Sequence, residues 1–359
     1  MSTFPSACVR AISPALSLRR AWRRLRRWAA VFDCLGEIRE PLPLRTRVSA
    51  PWRHSPAAGG YVDYTTRSGD LDMGNFLYSL TIPLPLRQTE YYSPATWQTM
   101  MRTSPDADDG HESVMLSARR DYKPGQRLSV QWNRSVIGPN LSLSQDTRQP
   151  GLPFLAYRQG DVITTSLPLF SDAAGHPGPA MPEKDSFGDT VLYRDSKEIG
   201  RSGKPGYGKF TVPTGTANYR LTSEANRTNP HWPLSTKVSS DWTFTSGGSD
   251  TAASLPLLTV GVEPQVDLEN YARAGHVQMV SLRVDRQQGA TGGQTTLRWA
   301  ELSTDDGATR RRTPILRING SWLMPVLNPA SVFVSVRANA ADSAGNTVTQ
   351  TIIRAFRIR

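Results

Sequence analysis

Several groups of side chains in this 359-residue sequence have the types and spacing to do chemistry. Gly203-Lys204-Pro205-Gly206-Tyr207-Gly208-Lys209 has the G-x4-G-K spacing of a phosphate-cradling loop. That chemistry needs a Ser or Thr after the Lys to reach magnesium and a helix N-terminus beyond it, whereas Phe210 follows here and the next residues read as a strand. The stretch is a Gly-Pro connection between strands. Asp70-Leu71-Asp72-Met73-Gly74-Asn75 alternates oxygen ligands like a calcium loop, with a second acidic cluster at Asp106, Asp108 and Asp109. A calcium loop of the EF-hand type needs a bidentate Glu at position twelve, and Thr81 stands there. A solvated turn is the default reading, and calcium held by Asp70 and Asp72 is the alternative.

Nucleophilic catalysis finds no candidates. The sequence has no G-x-S-x-G elbow and no G-T-S-M-A or H-G-T segment; Ser68 and Ser202 sit beside glycines, as loop serines commonly do. His54, His111, His176, His231 and His276 are scattered singly, and His111-Glu112 lacks a second His four residues on, so no zinc-protease helix is encoded. No catalytic, cofactor-binding or metal residue is assigned. The sharpest local pattern is structural: Ser303-Thr304-Asp305-Asp306-Gly307-Ala308-Thr309 follows the Asp-box form S-x-D-x-G-x-T-W up to its Thr. In such a hairpin the Ser and Asp side chains bond the turn's own backbone and Gly takes a positive φ. Arg310 replaces the aromatic that packs under the turn.

The elements that would position these groups are strands. From Thr295 to Arg359 the chain reads as five short strands, broken at Ser303 to Arg310, at Asn319-Gly320, at Asn328-Pro329 and at Asp342 to Asn346, all turn-favouring residue types. Val332, Val334, Val336 and Ala338 alternate with Phe333, Ser335 and Arg337; Val348, Ile352 and Phe356 share one face of the closing strand. Upstream, the spacing predicts strands over 60–66, 76–80, 112–119, 127–133, 162–169, 189–194, 197–200, 209–212, 217–224, 236–245 and 277–285, with a tight hairpin at Tyr193 to Glu198. Short strands at this spacing imply an all-β protein of tandem β-sandwich modules, Ig-like or fibronectin-like. Three regions result: a basic head over 1–45, outside the fold and either disordered or a short amphipathic helix; a β-rich region over 52–247 of one or two modules; and a C-terminal module over 255–359. Glu40 to Pro51 reads as a linker, and the polar Ser246 to Ser254 as a flexible hinge.

The formal net charge is +11, and residues 1–50 alone hold ten Arg against three acids. The basic character is therefore mainly that of the head, and the body shows no basic helix or aromatic RNA-binding signature, so nucleic acid is not an expected partner. Both cysteines, Cys8 and Cys34, lie in the head, which excludes a disulfide framework for the body. No apolar run is long enough to span a membrane. Arginines at 19, 20, 23, 24, 26 and 27 occupy the place of a signal peptide's apolar core, so the chain as written reads as cytoplasmic.

Four stretches, YTTRSGDLDMGNFLYSLTIPL, RQTEYYSPATWQTMMRTSP, VPTGTANYRLTSEANRT and VSVRANAADSAGNTVTQTIIRAF, together resemble the non-catalytic C-terminal region of large secreted subtilisin-like serine proteases (subtilases) of actinobacteria. The resemblance covers about residues 52 to 359. It implies a secreted, non-enzymatic accessory β region, with a subtilisin-like catalytic domain or a cell-surface polymer as partner. The catalytic segments of that family have no counterpart here, so the resemblance also implies a truncated or split product. The alternative is a stand-alone binding module whose Trp or Tyr side chains grip carbohydrate or protein.

Overall fold

The structure, a computed structural model, describes residues 46–359 apart from 53–58, 68–77, 93–95, 105–112, 142–155, 181–185, 229–231 and 331. Among the described residues there is no helix, and the strands form antiparallel sheets with few parallel pairings, so the protein is all-β and of β-sandwich type. The head over 1–45 lies outside the described residues.

The largest sheet has ten strands. Its centre is built from Ala217–Arg227, Lys237–Ser246, Thr347–Ile358, Phe333–Asp342 and Thr295–Ser303, in that spatial order. A four-stranded sheet of Leu258–Glu263, Val277–Arg286, Ser321–Leu327 and Leu316–Ile318 packs against its C-terminal part. The five strands expected over 295–359 are thus six, divided between two sheets, and the second sheet is completed by strands from 258–286.

The period-two pattern works as expected over most of the closing hairpin: Val334, Val336, Ala338, Val348, Ile352 and Phe356 are all buried. Ser335 departs from it. A register shift between Val334 and Val336 turns Ser335 inward, where its Oγ accepts the Arg354 N–H at 3.0 Å, and Arg354 itself takes a φ of 56°. This is the geometry of a β-bulge: between Val334↔Phe356 and Val336↔Ile352, Ser335 alone faces Ile353, Arg354 and Ala355, and the extra residues re-aim their neighbours.

The expected linker and the expected flexible hinge both contain strand pairing. Thr46–Trp52, which overlaps the end of the expected linker, is a strand paired antiparallel with Leu86–Tyr92 and parallel with Arg127–Ser129. Pro51 pairs with Arg87 and lies beyond the reach of the Arg127–Ser129 partner, which extends only from Arg47 to Ser49. In the expected hinge, Ser249 O accepts the Gly160 N–H at 2.7 Å and Ala253–Ser254 pairs with Tyr157 and Arg158. The large sheet also runs across the expected boundary, since Lys237–Ser246 pairs with Thr347–Ile358 over seven registered residues.

Buried Arg158 organises this junction. Its guanidinium donates to Gly160 O, Ser246 O, Pro213 O and Tyr219 Oη, at 3.0 to 3.2 Å. One apolar core extends from Tyr92 and Trp132 through Trp242 to Phe356. Trp242 is fully buried, and its Nε1 donates to Leu258 O at 2.7 Å, which satisfies the polar end of the ring across the two sheets.

Candidate functional site: a polar pocket walled by aromatic rings

Strand periodicity builds the first wall. In Leu86–Tyr92 the side chains of Gln88, Glu90 and Tyr92 alternate onto the buried face. Glu90 is only 1% exposed, and its two oxygens are taken by different donors: Gln88 Nε2 reaches Oε1 at 2.6 Å and Tyr92 Oη reaches Oε2 at 2.6 Å. A carboxylate this deep persists because hydrogen bonds replace the water it lost.

The second wall comes from Thr96–Ser104 and the chain returning beneath it. The Thr99 N–H donates to Ser117 Oγ at 2.8 Å and the Ser117 N–H to Thr99 O at 2.8 Å, holding the 117–122 segment in place. Tyr122 then stacks on Tyr92 at 4.4 Å between ring centroids, while Trp97 meets Tyr92 edge-on at 5.4 Å. Burial pushes the Tyr122 hydroxyl up to about 12, with Arg120 opposing the shift and Glu90 adding to it. The phenol therefore stays neutral near pH 7 and can both donate and accept.

A turn closes the third side. The Asp172 carboxylate accepts the His176 N–H at 2.9 Å, the Asn133 N–H at 2.8 Å and a bond with His176 Nδ1 at 2.9 Å. Gly175 supplies the positive φ of 96° that this turn requires. This contact ties the imidazole to the same carboxylate that holds the turn's backbone. The ring lies flat on Trp132 at 3.8 Å with 5° between planes.

These walls enclose a cavity of about 130 Å³ lined by Glu90, Tyr92, Thr99, Arg120, Tyr122 and His176, among others. One water needs roughly 10 to 15 Å³ of such space, so the cavity admits a larger polar group. It offers a carboxylate, a guanidinium, hydroxyls and ring surface, a set suited to orienting a ligand. The Asp172–His176 pair is a turn clamp: the carboxylate is shared with two backbone donors and the ring is pinned on Trp132.

Sequence reasoning treated His176 as an isolated histidine and missed Glu90, Tyr92, Arg120 and Tyr122. The inward alternation of Gln88, Glu90 and Tyr92 was the available signal, but polar residues at alternate strand positions read as a solvent face. The other candidates among the described residues do not line the pocket. The Gly206 N–H is bonded to Thr190 Oγ1 at 2.9 Å and Ser223 Oγ at 3.0 Å, so the Gly203 to Lys209 connection spends its central donor internally rather than on a phosphate. Ser202 Oγ accepts the Lys204 N–H at 3.3 Å, and His276 Nδ1 bonds Ala274 O at 2.8 Å. Asp70, Asp72, Asp106, Asp108, Asp109, Ser68, His54, His111 and His231 lie outside the described residues. Among the described residues no group of three or more His, Cys, Asp or Glu is placed to hold a metal, and no helix is long and apolar enough to cross a membrane. No protein-family model matches the sequence, and no curated protein matches it either.

Proposed function

We propose that this chain is a non-catalytic accessory β region that works by binding, and that the Glu90 pocket takes a saccharide unit of a cell-surface polymer. The observation that carries the reading is a buried, doubly hydrogen-bonded carboxylate beside stacked Tyr92 and Tyr122. Sugars present hydroxyls at their edges and C–H bonds on their faces, which fits acceptor and donor groups set among aromatic rings. The accessory role in a secreted, subtilisin-like protease context rests on the resemblance of residues 52 to 359.

The test is retention of the full chain on insoluble cell-wall glycan, with casein-coated beads as the protein control. Retention on glycan that falls about tenfold in Tyr122→Phe and Arg120→Gln, which keep the ring stacking and the buried Glu90, is the expected result. Equal retention of these variants, or none of the parent chain, removes the saccharide reading. Stoichiometric labelling of one Ser by a fluorophosphonate probe, together with casein turnover, would overturn the non-catalytic one.

A further inference from the structure

The four-stranded sheet presents an apolar face to solvent. Val277 pairs with Leu327, and Leu316 with Leu323, so these four side chains project from the same side of the sheet, joined by Met279 and Ile318. Their inward neighbours Val280, Met324 and Val326 fill the core instead. Val277 is 65%, Leu327 70%, Ile318 47% and Leu316 42% exposed, an unusual density for one sheet face.

This face ends at an open edge. Leu316–Ile318 is the last strand of its sheet, and Arg311–Thr313 is the last strand of the large sheet; only Pro314 and Ile315 separate them. Asn319 and Gly320, with φ of 50° and 82°, form the two-residue turn to Ser321. In such a hairpin Ile318 and Ser321 are the first hydrogen-bonded pair and Arg317 and Trp322 the next, non-bonded pair. The backbone N–H and C=O of Arg317 consequently point outward, along the free edge.

The charge of the segment 309–318 has one sign, with Glu301 the acid opposite Arg312 in the neighbouring strand. Arg283, Arg286, Arg354 and Arg359 all form ion pairs with Asp or Glu. Arg310, Arg311, Arg312 and Arg317 form no ion pair among the described residues, and the segment 309–318 contains no acid. Arg317 lies over Trp322 at 5.0 Å and Arg312 over Trp299 at 5.2 Å, so two of the four are held in place by rings without being neutralised.

We propose that the Leu316–Ile318 edge binds an extended acidic segment of a partner protein by strand addition. An added strand places the side chains opposite Leu316 and Ile318 on the apolar face and the one opposite Arg317 on the basic rim. The segment it fits therefore alternates apolar and acidic residues. A second copy of this edge is disfavoured, because like charges at Arg317 would meet across the pairing.

The test is fluorescence anisotropy of the full chain with a fluorescein-labelled peptide of four Glu-Val repeats, against a Lys-Val peptide and a Glu-Val peptide N-methylated on alternate residues. The Glu-Val peptide should bind at least tenfold more tightly than either control, and Arg317→Glu should reverse the preference in favour of Lys-Val. A reversal of preference cannot come from loss of folding. Absence of Glu-Val binding, an equal affinity for the N-methylated peptide, or equal binding of plain polyglutamate overturns the proposal. Concentration-dependent dimerisation in sedimentation that the Glu-Val peptide does not compete away would assign the edge to a second copy instead, and overturns it as well.

Discussion

The side-chain amide of Gln350 pairs with the backbone of Val260 as though it were another strand: Nε2 donates to Val260 O at 2.8 Å and Oε1 accepts the Val260 N–H at 3.2 Å. Gln350 belongs to the large sheet and Val260 to the small one, so a single side chain carries hydrogen bonding across the sandwich. Gln287 does the same to Ala156, at 2.6 and 2.8 Å, tying the small sheet to the strand Ala156–Gln159. Buried amides with both ends paired in this way replace water that the packed sheets exclude.

Gln350→Leu keeps the volume and removes both bonds, leaving the Val260 N–H and C=O buried and unpaired. Each lost partner costs about 1 to 3 kcal/mol. The thermal midpoint should fall by several degrees, and Gln350→Glu should not restore it, since a carboxylate can accept from Val260 but has no proton to give. A midpoint for Gln350→Leu equal to that of the parent, by calorimetry on the full chain, would show that the pairing carries no stability.

The Asp305 carboxyl is pulled down to about 2, first by the Ser303 hydroxyl and then by Thr309, whose Oγ1 reaches Oδ2 at 2.5 Å and whose N–H reaches Oδ1 at 2.9 Å. A folded-state value below the unfolded one means that its contribution is present above the ordinary Asp value near 4 and is lost as pH falls toward 2. Asp305→Asn should flatten the fall in thermal midpoint between pH 4 and pH 2 relative to the parent chain. Parallel curves for the two proteins would show that this carboxylate is not linked to folding.

The same hairpin makes a steric prediction. Gly307 has a φ of 89°, and a methyl group there would sit 2.8 Å from Arg310 Nη2 and 2.9 Å from Ile353 Cδ1. Gly307→Val should therefore lower the midpoint by several degrees, because a β-branched residue opposes both that φ and that contact. Arg310 already lies against the glycine, in the place where the Asp-box pattern has an aromatic. Arg310→Trp should raise the midpoint, since a ring buried there contributes roughly 1.5 to 3 kcal/mol more than an exposed one. An unchanged midpoint would mean that the ring at 310 stays in solvent.

Local patterns in this sequence define many of its hairpins and strands, but not Leu86–Tyr92, Thr96–Ser104, Ala156–Gln159 or Leu258–Glu263. Asn319-Gly320, Asp195-Ser196 and the Ser303 to Thr309 segment make the hairpins their side chains and φ preferences dictate, and the alternation of Val334, Val336 and Ala338 names the buried face of its strand. What remained hidden depends on partners far along the chain. Thr46–Trp52 became a strand because Leu86–Tyr92 lies beside it, and Ser246 to Ser254 lost its freedom to the strand Ala156–Gln159. The pocket is the extreme case: Glu90, Tyr122, Trp132 and His176 belong to four separate segments, and each alone looks like an ordinary surface residue or core ring. Periodicity reports which face of a strand a residue takes; which other segment that face meets is decided by packing, and only packing made a polar side chain at Glu90 worth burying.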